Sequence, residues 1–79
     1  MPRFYFDCLS NGVLSPDEFG MDLLDDDIAD QAQAILIDIM TDYLPNNYPL
    51  MAIVNVRSED GKIIYSAYGG AGGYPVEMF

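Results

Sequence analysis

Histidine is absent from this sequence of 79 residues, and cysteine occurs once, as Cys8. The lack of histidine removes the commonest general base and metal ligand, and with it any Ser-His-Asp or Cys-His catalytic group. A single cysteine cannot form an internal disulfide, although small secreted domains usually depend on several. Cys8 follows alternating apolar residues and has no basic neighbour that would lower its pKa, which favours a small core residue over a nucleophile.

Positive charge is also scarce, because three basic residues face thirteen acidic ones and the formal net charge is −10. No base lies between Arg3 and Arg57, whereas ten acids lie between Asp7 and Asp42. Such a field repels nucleic acid and anionic membranes and attracts basic protein surfaces. We therefore expect no direct binding of DNA or RNA and no membrane association, although solubility alone would also explain the charge.

Long apolar runs are missing too, and the longest aliphatic run is Ala34–Ile37. A membrane span needs about 20 apolar residues, and a signal peptide needs a run of at least about seven after its charged start. Neither pattern is found, so the sequence predicts a cytoplasmic protein. A chain of this length forms one domain with a modest core and little room for a deep cleft.

The first third of the chain predicts two strands and a loop. Arg3–Leu9 alternates apolar and polar residues, which is typical of a half-buried strand. Ser10-Asn11-Gly12 indicates a turn, after which Val13 and Leu14 can pair back as a short second strand. Residues 15–24 contain Pro, Gly and consecutive acids, which disfavour a strand, and we expect an ordered loop there.

One amphipathic helix follows. Asp25-Asp26-Asp27 is expected to open it, because Asp is a preferred N-cap and acids in the first turn complement the helix dipole. It should end at Leu44-Pro45, since the residue before a proline avoids the α region. Ile37 lies on the polar side beside Asp30 and Asp38, either as an ordinary exposed residue or as a contact anchor. The apolar stripe comprises Ile28, Ala32, Ile35, Leu36, Ile39, Met40 and Tyr43.

A hairpin completes the predicted sheet. Its strands are Leu50–Ser58 and Lys62–Tyr68, and Asp60-Gly61 is expected to supply the two positive-φ positions of a type I′ turn. If Glu59 pairs with Lys62, then Val56 faces Tyr65 and Val54 faces Ala67. The face predicted to meet the helix then carries Val54, Val56, Ile63, Tyr65 and Ala67. The other face carries Ile53, Ile64, Tyr68 and, from the first strand, Tyr5. One helix cannot cover both faces, so this open face would be a contact surface or a dimer interface.

The predicted domain covers residues 1–68. It is an α+β fold of order β-β-α-β-β, in which an antiparallel sheet of about four strands carries one helix on one face. Residues 69–73 read as a Gly-rich hinge, and residues 74–79 as an apolar tail that is either frayed or docked on a sheet edge. The glycines lack the Lys-Ser/Thr and the helix of a phosphate loop, and the acids of residues 25–30 lack the spacing of a calcium loop. We therefore expect no metal and no cofactor.

Several short motifs follow one another in a fixed order. They are Met-Pro-Arg-Phe-Tyr-Phe at residues 1–6, Gly12, Asp-Glu-Phe-Gly-Met-Asp-Leu at residues 17–23, an Asp-capped helix near Asp26, and Glu-Asp-Gly-Lys-Ile-Ile at residues 59–64. Together they resemble a family of short bacterial proteins known only as a domain of unknown function, over about residues 1–66. The resemblance implies a β-β-α-β-β fold and neither a known activity nor catalytic residues. The almost purely acidic helix, the hinge and the tail depart from it, and the tail faintly resembles the ends of small phage anti-CRISPR proteins.

We expect this chain to bind protein rather than to catalyse a reaction. The favoured hypothesis is an inhibitor, of the anti-CRISPR or DNA-mimic type, that occupies a basic, nucleic-acid-binding surface of a partner protein, with carboxylates standing in for phosphates. The residues predicted to make that contact are Asp25, Asp26, Asp27, Asp30, Ile37, Asp38, Asp42 and Tyr68. The alternatives are a homodimeric housekeeping adaptor that binds through the open sheet face, and an enzyme that uses carboxylates and a divalent metal.

Overall fold

The computed structural model describes residues 1–43 and 50–71. It confirms the α+β class, with an antiparallel sheet that carries one helix on one face. The strands are β1 (Arg3–Ser10), β2 (Val13–Ser15), β3 (Met21–Asp22), β4 (Leu50–Ser58) and β5 (Ile63–Ala71), and helix α1 spans Ile28–Tyr43. The strand order in the sheet is β2-β1-β4-β5, and β3 also pairs with β1.

Strand β3 corrects the predicted order to β-β-β-α-β-β. Residues 15–24 were expected to form a loop throughout, yet residues 21–22 pair with Phe4 and Arg3. The outer edge of β1 explains the pairing. Strand β2 covers that edge only at Cys8–Ser10, so the backbone groups nearer the start of β1 need another partner.

The two glycine turns differ from each other in geometry. Asn11 and Gly12 have φ angles of 48° and 84°, as a two-residue type I′ hairpin requires. The Asp60-Gly61 turn, predicted to be of that type, is a three-residue loop in which Gly61 has a φ of 91° and Asp60 lies outside the left-handed region. The N–H of Ser58 donates to the carbonyl of Lys62 over 2.8 Å. The residue next to the loop that bonds to Lys62 is therefore Ser58 and not, as predicted, Glu59.

A β-bulge next to this loop restores the predicted register. Arg57 pairs with Ile63, one residue out of step, and the bulge between Val56 and Arg57 shifts the pairing back, so that Val56 faces Tyr65 as predicted. Ile63 therefore lies opposite Arg57 on the open face, where 61% of it is exposed. Its predicted place in the core was wrong.

The core lies between α1 and the sheet, with β4 and β5 beneath the helix. The predicted helix stripe is confirmed at Ile28, Ala32 and Leu36, which are buried. Their sheet partners in the core are Phe4, Phe6, Ala52, Val54, Val56 and Ala67. Cys8 borders this core as expected, and burial raises the pKa of its thiol, which disfavours the reactive thiolate.

The start of the helical segment differs in detail from the prediction. Asp25–Asp27 forms a turn of 3₁₀ helix of its own before α1 begins at Ile28. The residue that precedes this turn, Leu24, makes no side-chain capping hydrogen bond. The three carboxylates nevertheless occupy the first turn, where the positive end of the helix dipole favours them.

Strand β5 continues past Tyr68, its predicted end, to Ala71. Gly69 lies beneath the helix, where a Cβ would be in ordinary van der Waals contact with the sulfur of Met40 at 3.4 Å and with Cδ2 of Leu36 at 3.5 Å. The remainder of the predicted hinge and tail, residues 72–79, lies outside the described residues. So does the predicted connector at residues 45–49.

Candidate protein-binding surfaces

The predicted acids and Ile37 form one surface, which we call the acidic helix face. Its members are Asp25, Asp26, Asp27, Asp30, Ile37, Asp38 and Asp42, and all are exposed. At about 100° and 1.5 Å per residue, Asp30 and Ile37 face away from the sheet, whereas Asp38 and Asp42 lie on one flank of the helix. Asp30 and Asp38 are about 12 Å apart along the axis. Ile37 is 61% exposed and lies next to Asp38.

Both arginines form ion pairs away from this face. Arg3 Nε lies 2.9 Å from Asp22 Oδ1, and Arg57 Nε lies 2.9 Å from Asp7 Oδ2. Within residues 1–43 and 50–71, no ion pair reaches a carboxylate of the acidic helix face. The field of that face is therefore weakened by dissolved salt rather than by a paired base.

Tyr68, the remaining predicted contact residue, lies on the opposite side of the molecule. It pairs with Ile53, whose neighbours Ala52 and Val54 are buried under α1. Because side chains alternate along a strand, Tyr68 points to the open face, where 74% of it is exposed. The predicted contact residues thus form two separate surfaces.

The open face carries a continuous row of apolar side chains. The strand register aligns one from each of four strands, and we call this set the apolar row: Leu14, Leu9, Ile53 and Tyr68. Leu14 is 60% exposed, and Met51, one position further along β4 on the same face, is 62% exposed. A flat apolar row of this kind is typical of a surface that contacts protein.

A hydrogen-bond network at residues 16–20, which we call the clamped loop, was not predicted. The carboxylate of Asp17 takes the place of a strand on the edge of β1, where its Oδ2 accepts the Phe6 N–H over 3.0 Å. Its Oδ1 accepts the N–H groups of Phe19 and Gly20, both over 3.1 Å. One side chain thereby ties the loop to the sheet between β2 and β3.

Both arginines hold the clamped loop from outside. Arg57 Nη2 donates to the Asp17 carbonyl over 3.3 Å, and Arg3 Nη1 donates to the Phe19 carbonyl over 3.1 Å. Asp7, the ion-pair partner of Arg57, accepts the Asp17 N–H over 2.9 Å. The two arginines are therefore committed to the fold, and neither forms an ion pair with a carboxylate of the acidic helix face.

Local sequence patterns predict only part of the clamped loop. Asp followed by Gly three residues later is a common turn pattern. Gly20 fits it, since its φ is 73° and a Cβ there would lie 2.7 Å from Arg3 Cγ. The ion pair of Asp7 and Arg57 joins residues 50 positions apart, which no local pattern reveals.

The clamped loop makes stability depend on pH. The hydrogen bond from Arg57 lowers the pKa of Asp7, while burial opposes the shift. Burial raises the pKa of Asp17, but three backbone N–H donors outweigh it and the net pKa lies below the usual value. A carboxyl whose pKa is lowered by folding stabilises the folded state fully above its unfolded pKa of about 3.9, and the stabilisation is lost as the pH falls through the folded value.

We therefore expect the free energy of unfolding, measured by urea titration, to fall as the pH is lowered below about 4. The Asp17→Asn variant cannot lose that proton-linked stabilisation, so its stability should fall less steeply over the same range. If the free energy of unfolding fell equally steeply with pH in the wild type and the variant, Asp17 would not contribute to the pH dependence.

Two other kinds of site are absent from the described part of the chain. Across residues 1–43 and 50–71, no group of three or more His, Cys, Asp or Glu side chains is arranged to hold a metal ion. In the same residues, no helix has the length and apolar character needed to cross a membrane.

A comparison with known protein families identifies the family of this chain. The model of a family described as a domain of unknown function (DUF6894) matches residues 3–68, which confirms the family resemblance seen in the sequence. No curated protein and no solved structure matches the chain. The matched range contains the acidic helix face, the apolar row and the clamped loop, and it leaves out residues 69–79.

Proposed function

Since this chain belongs to the DUF6894 family, whose function is unknown, we propose a function from its surfaces: it is a non-enzymatic module that binds another protein through the acidic helix face. The partner carries a basic surface that normally binds nucleic acid. The chain occupies that surface and acts as an inhibitor, in the manner of an anti-CRISPR protein or another DNA mimic. A partner of this kind handles nucleic acid inside the cell, which gives the protein a cytoplasmic location.

One observation carries this proposal. Six exposed carboxylates share the acidic helix face, and neither Arg3 nor Arg57 is within ion-pair distance of them. Arg and Lys side chains that bind phosphate oxygens also bind carboxylates, often through two parallel hydrogen bonds. The face thus offers a cationic surface the same kind of acceptor as a nucleic-acid backbone.

Ile37 supplies the apolar part of the contact. It is 61% exposed among the acids, at the outermost part of α1. Binding energy in protein interfaces concentrates in a few central apolar or aromatic residues surrounded by polar ones. Ile37 is adjacent to Asp38 and lies two turns from Asp30 on the same side of α1, so it adds an apolar contact to a mainly acidic surface. Such a contact would distinguish a protein partner from a simple polycation.

Charge reversal with a matched control tests the proposal. The probe is a fluorescent arginine-rich peptide, and its anisotropy is followed at about 0.15 M salt, where screening acts over about 8 Å. We expect the triple variant Asp30→Lys, Asp38→Lys, Asp42→Lys to bind at least about tenfold more weakly, since close interfacial charge pairs contribute more than about 1 kcal/mol each. Double-stranded DNA should compete with the wild-type protein for the peptide.

The control is a pair of single substitutions with the same change in net charge. Asp38→Lys alters the acidic helix face, whereas Glu18→Lys alters an exposed acid of the clamped loop. Only Asp38→Lys should weaken peptide binding by more than about twofold, because Glu18 is not part of the acidic helix face. Equal losses for both variants, or an affinity that does not change with salt, would contradict the proposal. Affinity purification with wild-type and triple-variant baits would then identify the partner.

A further inference from the structure

We propose that the open sheet face binds the same face of a second copy of this chain, in a two-fold symmetric dimer whose acidic helix faces point outward. This dimer does not rest on the function proposed above, because it uses the opposite side of the molecule. It assigns a role to the apolar row, which the acidic helix face leaves unexplained.

The apolar content of the open face supports this occupant. The apolar row crosses strands β2, β1, β4 and β5, and Met51 extends it along β4. A second apolar pair, Tyr5 and Ile63, flanks Arg57 further along the same face. The guanidinium of Arg57 lies 4.6 Å from the centre of the Tyr5 ring, so even the charged residue presents a stacked, flat surface.

Charge decides between a second copy and a basic partner. Strand alternation puts Arg3, Asp7 and Arg57 on the open face, and both arginines are paired with an aspartate. The charges on this face are therefore paired, whereas six carboxylates outside these ion pairs lie across the molecule. A basic protein is attracted to the acidic helix face, and the sheet face, whose charges are paired, is left for a partner that also has no unpaired charge there. A second copy supplies such a face.

The geometry keeps the repelling charges apart. Two stacked sheets pack about 10 Å apart, and each helix adds about 10 Å on the outside. The two acidic helix faces would then lie about 30 Å from each other, more than three times the Debye length of about 8 Å at physiological salt. The net charge of −10 on each copy weakens this dimer without preventing it.

The available area sets the expected affinity. The strands have 8, 3, 2, 9 and 9 residues, and 31 residues at about 3.3 Å each in strands about 4.8 Å apart give a face of roughly 500 Å². Two such faces bury about 1,000 Å² in total, near the lower limit for specific interfaces. We therefore expect a dissociation constant in the micromolar range rather than an obligate dimer.

Sedimentation equilibrium of the full chain, from about 1 to 500 μM, tests the dimer. We expect a monomer–dimer equilibrium that tightens as salt is raised, because salt screens the repulsion between two acidic copies. Binding through the acidic helix face should weaken with salt, so the two proposals predict opposite salt responses and can fail separately. A monomer at every concentration and salt level would overturn the dimer.

A matched pair of substitutions locates the interface. Tyr68→Asp places one new charge on the open face, and Ile37→Asp places one on the acidic helix face, at residues that are 74% and 61% exposed. Tyr68→Asp should raise the dimer dissociation constant at least about tenfold, since an unpaired charge is costly in an apolar contact, and Ile37→Asp should leave it unchanged within about twofold. Thermal melts of both variants would verify folding. Equal effects of the two substitutions, or no effect of Tyr68→Asp, would exclude the open face as the interface.

Discussion

Replacing Asp17 with alanine should lower the free energy of unfolding by about 3 kcal/mol, since hydrogen bonds to a charged group contribute about 1.5–3 kcal/mol each and are not additive. Its carboxylate accepts three backbone N–H groups, and one of them belongs to Phe6, whose side chain is buried in the core. Without the carboxylate, the Phe6 N–H has no strand to pair with at that edge. For a domain of this length, whose total stability is about 4–12 kcal/mol, the loss is a large fraction.

Glu18→Ala is the matched control for Asp17. Glu18 is the next residue in the chain and is exposed, and surface substitutions of this kind change stability by less than about 0.5 kcal/mol. Urea titrations followed by circular dichroism would measure both variants, and an unchanged m-value would show that the folded and unfolded states remain comparable. Similar stabilities for the two variants would mean that the clamped loop contributes little to the fold.

The second large effect concerns the orientation of α1. Leu36→Ala should cost about 3 kcal/mol, because Leu36 is only 9% exposed and its truncation leaves a cavity under the helix. Ile37→Ala, one residue further along, should cost less than about 0.5 kcal/mol beyond helix propensity, since 61% of that side chain is exposed. The same urea titrations measure both changes.

The contrast between these adjacent residues bears on function as well as stability. If Ile37→Ala were the more destabilising of the two, the helix would be rotated relative to the sheet. Asp30 and Asp38 would then lie nearer to the core, and the acidic helix face would not exist as a surface. The pair therefore tests the geometric premise of the proposed function independently of any partner.

Local periodicity was sufficient to predict most of the fold. The period of two in β1 and the period of 3.6 in α1 each show which side chains are buried, because one face of each element meets the core. Strand β3 could not be found this way, since two residues show no period. It forms because β1 has an unpaired edge, which is a property of the assembled sheet.

The last hairpin shows a second limit. The predicted register is confirmed at Val56 and beyond, although the loop has three residues rather than two, because the bulge compensates for the additional residue. Ile63 lies between the loop and the bulge, so its side chain is on the other face from the one predicted. A loop with one more residue needs a bulge if the rest of the strand is to keep its register. The local sequence indicates neither the loop length nor the bulge position.

The two surfaces also differ in how far the sequence could predict them. Helical periodicity was enough to predict that Asp30, Ile37 and Asp38 are exposed together, since they share one helix. The position of Tyr68 on the opposite side of the molecule depends on which strand face meets the helix, and that required the assembled sheet. The functions of both surfaces remain predictions.

The separation of paired and unpaired charges has a consequence for how this molecule approaches others. Unbalanced carboxylates on one side and neutralised arginines on the other create a dipole moment directed across the sheet. In the field of a cationic object, that dipole turns the molecule before contact. The protein should therefore arrive helix first, in one orientation, and immobilisation on a positively charged sensor surface should leave its tyrosine-bearing side facing the solution.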